Sequence, residues 1–140
     1  MKKIILFTCF LLSLAIVKAQ QENKYLQQFI LVVRFPSNFI PPSAEAVQQN
    51  IQKWQEYMGN LIQNKTLVKG YRPTTEGFII SGKEKQNKEG FYVANNELLS
   101  SVMIIQAKDM DAAKKIANEC PVFELGGSIE IRPLMEMAGK

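Results

Sequence analysis

The stretch SVMIIQAKDMDAAKKIANECPVFELGGSIEIRPL, residues 101–134, decides the architecture. Val102, Met103, Ile104 and Ile105 put apolar side chains on both faces of a strand running from Ser101 to Ala107, so that strand belongs in the middle of a sheet. Asp109 then offers an N-cap, and Met110, Ala113, Ala117 and Cys120 follow at spacings of three, four and three, one stripe of a helix. Pro121 stops the helix, Gly126-Gly127 turns the chain, and Ser128 to Arg132 alternates cleanly up to Pro133. Strand, helix, strand is half of a split β-α-β unit.

Working toward the N-terminus, Leu26 to Phe35 reads as a second strand buried on both sides: Phe29, Leu31, Val33 and Phe35 face one way, Ile30 and Val32 the other. Pro36 ends it, and Pro41-Pro42 keeps the following chain extended. Ser43 is the N-cap of a long helix with Glu45 in its first turn. Val47, Ile51, Trp54, Met58 and Leu61 form its predicted apolar stripe, and it runs to about Asn64. Between the two halves lie short strands at Thr66–Val68 and Phe78–Ile80, a turn at Gly70–Pro73, a lysine-rich hairpin tip from Lys83 to Lys88, and re-entry into β structure at Gly90–Val93.

The order predicts an α+β domain: a ferredoxin-like split β-α-β fold, an antiparallel sheet with two main helices on one face. The other face would be bare, yet both central strands carry apolar residues there. The expectation is therefore a homodimer packed sheet to sheet, of the dimeric α/β-barrel type.

Outside this domain, Met-Lys-Lys, an apolar run from Ile4 to Val17 and Val17-Lys18-Ala19 have the layout of a cleavable secretory leader. The expected organisation is a signal peptide at 1–19, a linker at 20–25, the α+β domain at 26–134 and a loose tail at 135–140. The mature chain would be exported, periplasmic or secreted, with no membrane attachment after cleavage. Without Lys2, Lys3 and Lys18 the 17 basic residues become 14 against 13 acidic ones, so the basic character belongs to the leader and argues against a nucleic-acid partner. Cys120 is then the single cysteine, and the fold must rest on its core without a disulfide.

The chain has no histidine. Triads with a histidine base and His-ligated zinc or haem are excluded, one cysteine makes no Cys-x-x-Cys site, and no phosphate- or dinucleotide-binding glycine loop is present. No metal or cofactor is expected. Glu89 and Glu97 flank a tight turn and are the candidates for acid or base work, against a plainer role as solvated loop carboxylates. Glu130 and Arg132 point the same way on the last strand and could hold a carboxylate-bearing ligand, or serve only in a cross-strand or interface ion pair. Trp54 could wall a pocket, though its stripe position suits the core. Cys120, at a helix C-terminus, reads as a buried structural thiol. Lys83, Lys85 and Lys88, interleaved with Glu84 and Glu89, form a solvated loop.

At Glu89-Gly90-Phe91-Tyr92 the chain resembles the YCII-related family, whose commoner branch carries an Asp-Gly-Pro-Phe motif. The resemblance extends through Glu97-Leu98-Leu99, the strand Val102 to Ala107, the Asp109-led helix, Cys120-Pro121, Gly126-Gly127 and the Glu130-Ile131-Arg132-Pro133-Leu134 ending. Glu89, Phe91 and Tyr92 replace the motif's Asp, Pro and Phe, and Ser100-Ser101 stands where Gly-Gly is usual. Tyr92, at the Phe position, joins Trp54, Glu130 and Arg132 as a ligand-contact candidate. The resemblance implies a ferredoxin-like dimer with a cleft at the sheet interface. A His–Asp pair proposed as catalytic in the other branch has no counterpart here. The expectation is an exported dimer binding a small molecule or a protein in that cleft. The alternative is a small cofactor-free enzyme of isomerase or lyase type, with Glu89 or Glu97 as base and Arg132 orienting the substrate. A third is a relic whose cleft is filled by its own side chains.

Overall fold

The structure, a computed structural model, describes residues 26–137. The expected leader and linker lie outside the described residues, as do the last three residues of the tail. The elements are β1 (Gln27–Pro36), α1 (Ala44–Gln63), β2 (Leu67–Tyr71), β3 (Phe78–Ser81), β4 (Gln86–Glu89), β5 (Val93–Ala94), β6 (Glu97–Ala107), α2 (Met110–Asn118), a 3₁₀ turn (Pro121–Leu125) and β7 (Ser128–Pro133).

The main sheet runs β2-β6-β1-β7, with the short β5 beside the start of β6, and its pairings are antiparallel. Each half contributes one inner and one outer strand, which is the ferredoxin-like arrangement the element order predicts. Phe29, Leu31 and Val33 of β1 and Met103, Ile105 and Ala107 of β6 are buried, and they meet Tyr57 and Leu61 of α1 and Ala113 and Ala117 of α2 in one core. Both helices therefore cover the same face. Phe29, Leu31, Val33, Ile105 and Val122 are its largest fully buried side chains, each stabilising the fold by roughly 1.5–3 kcal/mol.

Both helix starts carry side-chain caps: Ser43 Oγ accepts from the Ala46 N–H at 3.1 Å, and Asp109 Oδ1 accepts from the Ala112 N–H at 2.8 Å. The end of α1 is closed by the Lys65 N–H donating to the Ile62 carbonyl at 3.0 Å and the Thr66 N–H to Leu61 at 2.8 Å, with Lys65 left-handed at φ 54.

Four details differ from the sequence reading. The inward face of α1 is Asn50, Tyr57 and Leu61, with Trp54 and Met58 half-buried and Ile51 exposed, so the helix is turned relative to its apolar stripe. Asn50 is tolerated inside because its amide donates to the Pro121 carbonyl at 3.0 Å. β2 runs on through Gly70 and Tyr71, which were expected to turn away. The second arm of the hairpin is Gln86–Glu89, and Gly90 to Tyr92 lie outside any strand. β6 begins at Glu97 instead of Ser101, after a turn in which Asn95 and Asn96 have φ of 53 and 60, the two-residue hairpin geometry that asparagine tolerates.

Candidate functional site

Strand alternation sends Ile30, Val32 and Arg34 of β1 to the face opposite the helices. Their partners there are Ile104 with Ile30, Val102 with Val32 and Leu99 with Arg34 on β6, and Arg132, Glu130 and Ser128 on β7. The β1–β6 register shifts between Val33 and Arg34, which leaves Ser100 as an extra residue in β6. Bulges of this kind re-aim neighbouring side chains. The open face thus has an apolar middle (Ile30, Val32, Val102, Ile104) and a charged margin along β7.

In that margin Arg34 Nη2 donates to Glu130 Oε2 at 2.7 Å, and Arg132 Nε donates to Glu130 Oε1. Next to it the Ser128 hydroxyl donates to Glu97 Oε1 at 2.6 Å. Arg34 and Glu130 are each 30% exposed, whereas Arg132 is 73% exposed. The Arg34 guanidinium, followed by that of Arg132, holds the Glu130 carboxyl below its ordinary range. Glu130 is therefore a fixed anion at neutral pH and an anchor for the two arginines, not a proton carrier. Each arginine uses one nitrogen on Glu130, and among the described residues neither makes another side-chain bond. Five N–H donors per guanidinium leave a pair of forks available to a second carboxylate. The Arg34–Glu130–Arg132 group sets two guanidiniums against one carboxylate, and a second carboxylate, Glu97, lies beside it on the Ser128 hydroxyl.

Of the candidates named from sequence, the structure brings Glu97, Glu130 and Arg132 to one margin of the open face and adds Arg34, which was missed. Glu89 closes β4 of the separate hairpin, so it and Glu97 do not share a turn. Tyr92 is exposed in the segment between that hairpin and β5. Trp54 packs on the helical side, edge-on to Tyr57 with ring centroids 5.9 Å apart, and is separated from Glu130 and Arg132 by the sheet. Cys120 is buried, and burial pushes its thiol up to about 11.

Two shallow hollows, of about 350 and 330 Å³, lie at the start of α1 and between α1 and the 3₁₀ turn. Neither is on the open sheet face. In the second, the Lys53 ammonium donates to Glu124 at 2.6 Å, and Glu56 and Glu119 line the same hollow. Among the described residues no helix is long and apolar enough to cross a membrane.

No curated protein matches the chain. The family model for the YCII-related domain matches residues 28–138, from the second residue of β1 to beyond the end of β7. With the full set of strands and both helices inside that match, the chain belongs to the YCII-related domain family.

Proposed function

We propose that this YCII-related domain is an exported homodimer whose open sheet faces enclose a cleft, and that the cleft binds a small molecule bearing a carboxylate. The observation that carries the reading is the Arg34–Glu130–Arg132 group: two guanidiniums on one carboxylate, with donors to spare, at the edge of an apolar surface that the helices leave bare. Neither of the two shallow hollows lies on this surface, and a second chain would supply the opposite wall of a pocket there. The leader-like start of the sequence supports export to the periplasm or the medium. The chemistry calls for no cofactor.

Calorimetric titration of the purified chain with a panel of small mono- and dicarboxylates tests this. At least one should bind, and Arg34→Ala combined with Arg132→Ala should weaken it about tenfold or more. Equal binding by the double variant, or no binding across the panel, removes the reading.

A second reading, a cofactor-free isomerase or lyase, is favoured by one observation: the Glu97 carboxylate lies on the same margin as the arginines, bonded to the Ser128 hydroxyl at 2.6 Å. Glu97 would take the proton and Arg132 would orient the substrate. Glu97→Gln should then abolish turnover while leaving affinity nearly intact. Turnover that survives the change excludes Glu97 as the base.

A further inference from the structure

The β3–β4 hairpin is set apart from the packed body. Its strands pair with each other and not with the main sheet. Every residue of β4 is exposed, and in β3 only Ile79 is partly covered. The Gly90 N–H donating to the Gly77 carbonyl at 2.9 Å closes its base. A lone two-stranded hairpin is marginal in water, yet this one does not have a solvated composition. Phe78 is 72% and Ile80 67% exposed, and they alternate onto one face of β3. The chain leaving the hairpin adds Phe91 and Tyr92, 56% and 70% exposed.

The exposed parts of these three aromatics amount to roughly 300–500 Å², taking about 150–250 Å² for a whole aromatic side chain. Ile80 adds to that. An exposed area of this size on the hairpin and the segment leaving it is about 40–60% of the ~800 Å² per partner in a standard interface. The same chain carries the complementary surface, the Ile30, Val32, Val102 and Ile104 stripe. An arm laid on that stripe in a second copy, with the reciprocal contact from the other arm, uses both surfaces twice in one two-fold interface.

We infer that the hairpin is an exchanged arm: Phe78 and Ile80 of one chain dock on the open sheet face of a second copy and form one wall of its Arg34–Glu130–Arg132 site. The inference rests on the dimeric reading above and adds which segment makes the contact, so that each site is completed by its neighbour.

Sedimentation equilibrium of the purified chain and of a Phe78→Ser, Ile80→Ser variant tests it, with far-UV circular dichroism to show that the variant keeps its fold. The expected result is a dimer whose dissociation constant rises at least ~100-fold in the variant, as for loss of two central apolar anchors. A dimer unchanged in the variant overturns the arm and leaves the sheet-to-sheet dimer standing. A wild-type chain that is monomeric at about 100 µM overturns both. As a second readout, chains carrying Ile80→Cys mixed with chains carrying Ile104→Cys should be joined by a short bis-maleimide. A dimer that gives no joined product also overturns the arm.

Discussion

Gly127 should be the least replaceable glycine of the chain, for a reason of space and not of backbone conformation. A Cβ there would lie 2.3 Å from Val122 Cγ2 and 2.6 Å from the Arg34 carbonyl oxygen. Val122 is fully buried, and Arg34 is held between β6 and β7, so neither atom can step aside. Gly127→Ala must push the start of β7 off β1 and strain the Gly127 N–H bond to the Val122 carbonyl. Overpacking of ~1–3 kcal/mol with one weakened backbone bond gives a loss of about 3 kcal/mol. Gly126→Ala meets no atom within 4 Å but has φ of 74, so it should lose about 1–2 kcal/mol through left-handed strain alone. Gly59→Ala, inside α1 with nothing within 4 Å, should gain about 1 kcal/mol. Urea titration separates the three, since a slope of ~1–3 kcal/mol per molar turns these values into midpoint shifts of opposite sign. If Gly127→Ala lost no more than Gly126→Ala, the close approach of β7 to the Arg34 backbone would be refuted. Arg34 belongs to the proposed carboxylate site, so under that proposal Gly127→Ala should also weaken carboxylate binding, whereas Gly59→Ala should not.

Three other outcomes follow from single side chains. Wild type and Glu130→Gln should differ in stability at neutral pH. Because the folded Glu130 carboxyl lies below its unfolded value of about 4.3, that difference should fade as pH falls through the folded value; a constant difference in melting temperature down to about pH 2 would contradict the pairing with Arg34. Asn50→Ala leaves the Pro121 carbonyl without its amide partner and should lower stability by about 1–3 kcal/mol in a denaturant titration, more than an exposed Gln52→Ala control. In a Cys9→Ser background, alkylation of Cys120 by iodoacetamide near pH 8 should be at least ~100-fold slower than in urea, because a thiol raised from 9.0 to about 11 holds that much less thiolate; equal rates would mean that the thiol is not buried.

How much of this was legible depends on whether the deciding contact was local. The strand–helix–strand of residues 101–134 was readable because Asp109, Pro121 and the alanine stripe act within a turn of where they stand. The orientation of α1 was not readable, because Asn50 turns inward for a carbonyl 71 residues away. The polar arm Gln86–Glu89 has no alternation of its own and is a strand only by pairing with Phe78–Ser81. Asn95-Asn96 is a local turn signal in the sequence. Arg34 stands at the end of an apolar strand, where nothing adjacent in sequence marks it as part of a charged group. The ferredoxin-like topology, however, sets the last strand beside the first, and Arg34 has the same parity as Ile30 and Val32. The opposite charges on Glu130 and Arg34 were the available clue.

The chemistry of the site and the covering of the sheet are linked. Exposed ion pairs are weak, so the Arg34–Glu130–Arg132 group adds only a small stabilisation to a single chain with an open face. If a second copy covers the face, two guanidiniums with unmet N–H donors would be carried into a drier place, which is costly. A bound carboxylate removes that cost, and by linkage whatever binds better to the covered state must favour covering. A small carboxylate that binds at the site should therefore tighten the dimer. Loss of one guanidinium in Arg132→Ala removes part of those unmet donors, so it should make the dimer less dependent on the anion. The measurement is the dimer dissociation constant with and without the carboxylate, at matched ionic strength so that general screening cancels. A carboxylate that binds yet leaves the constant unchanged would place its site away from the interface, and the arginine pair would then be a surface feature of each chain alone.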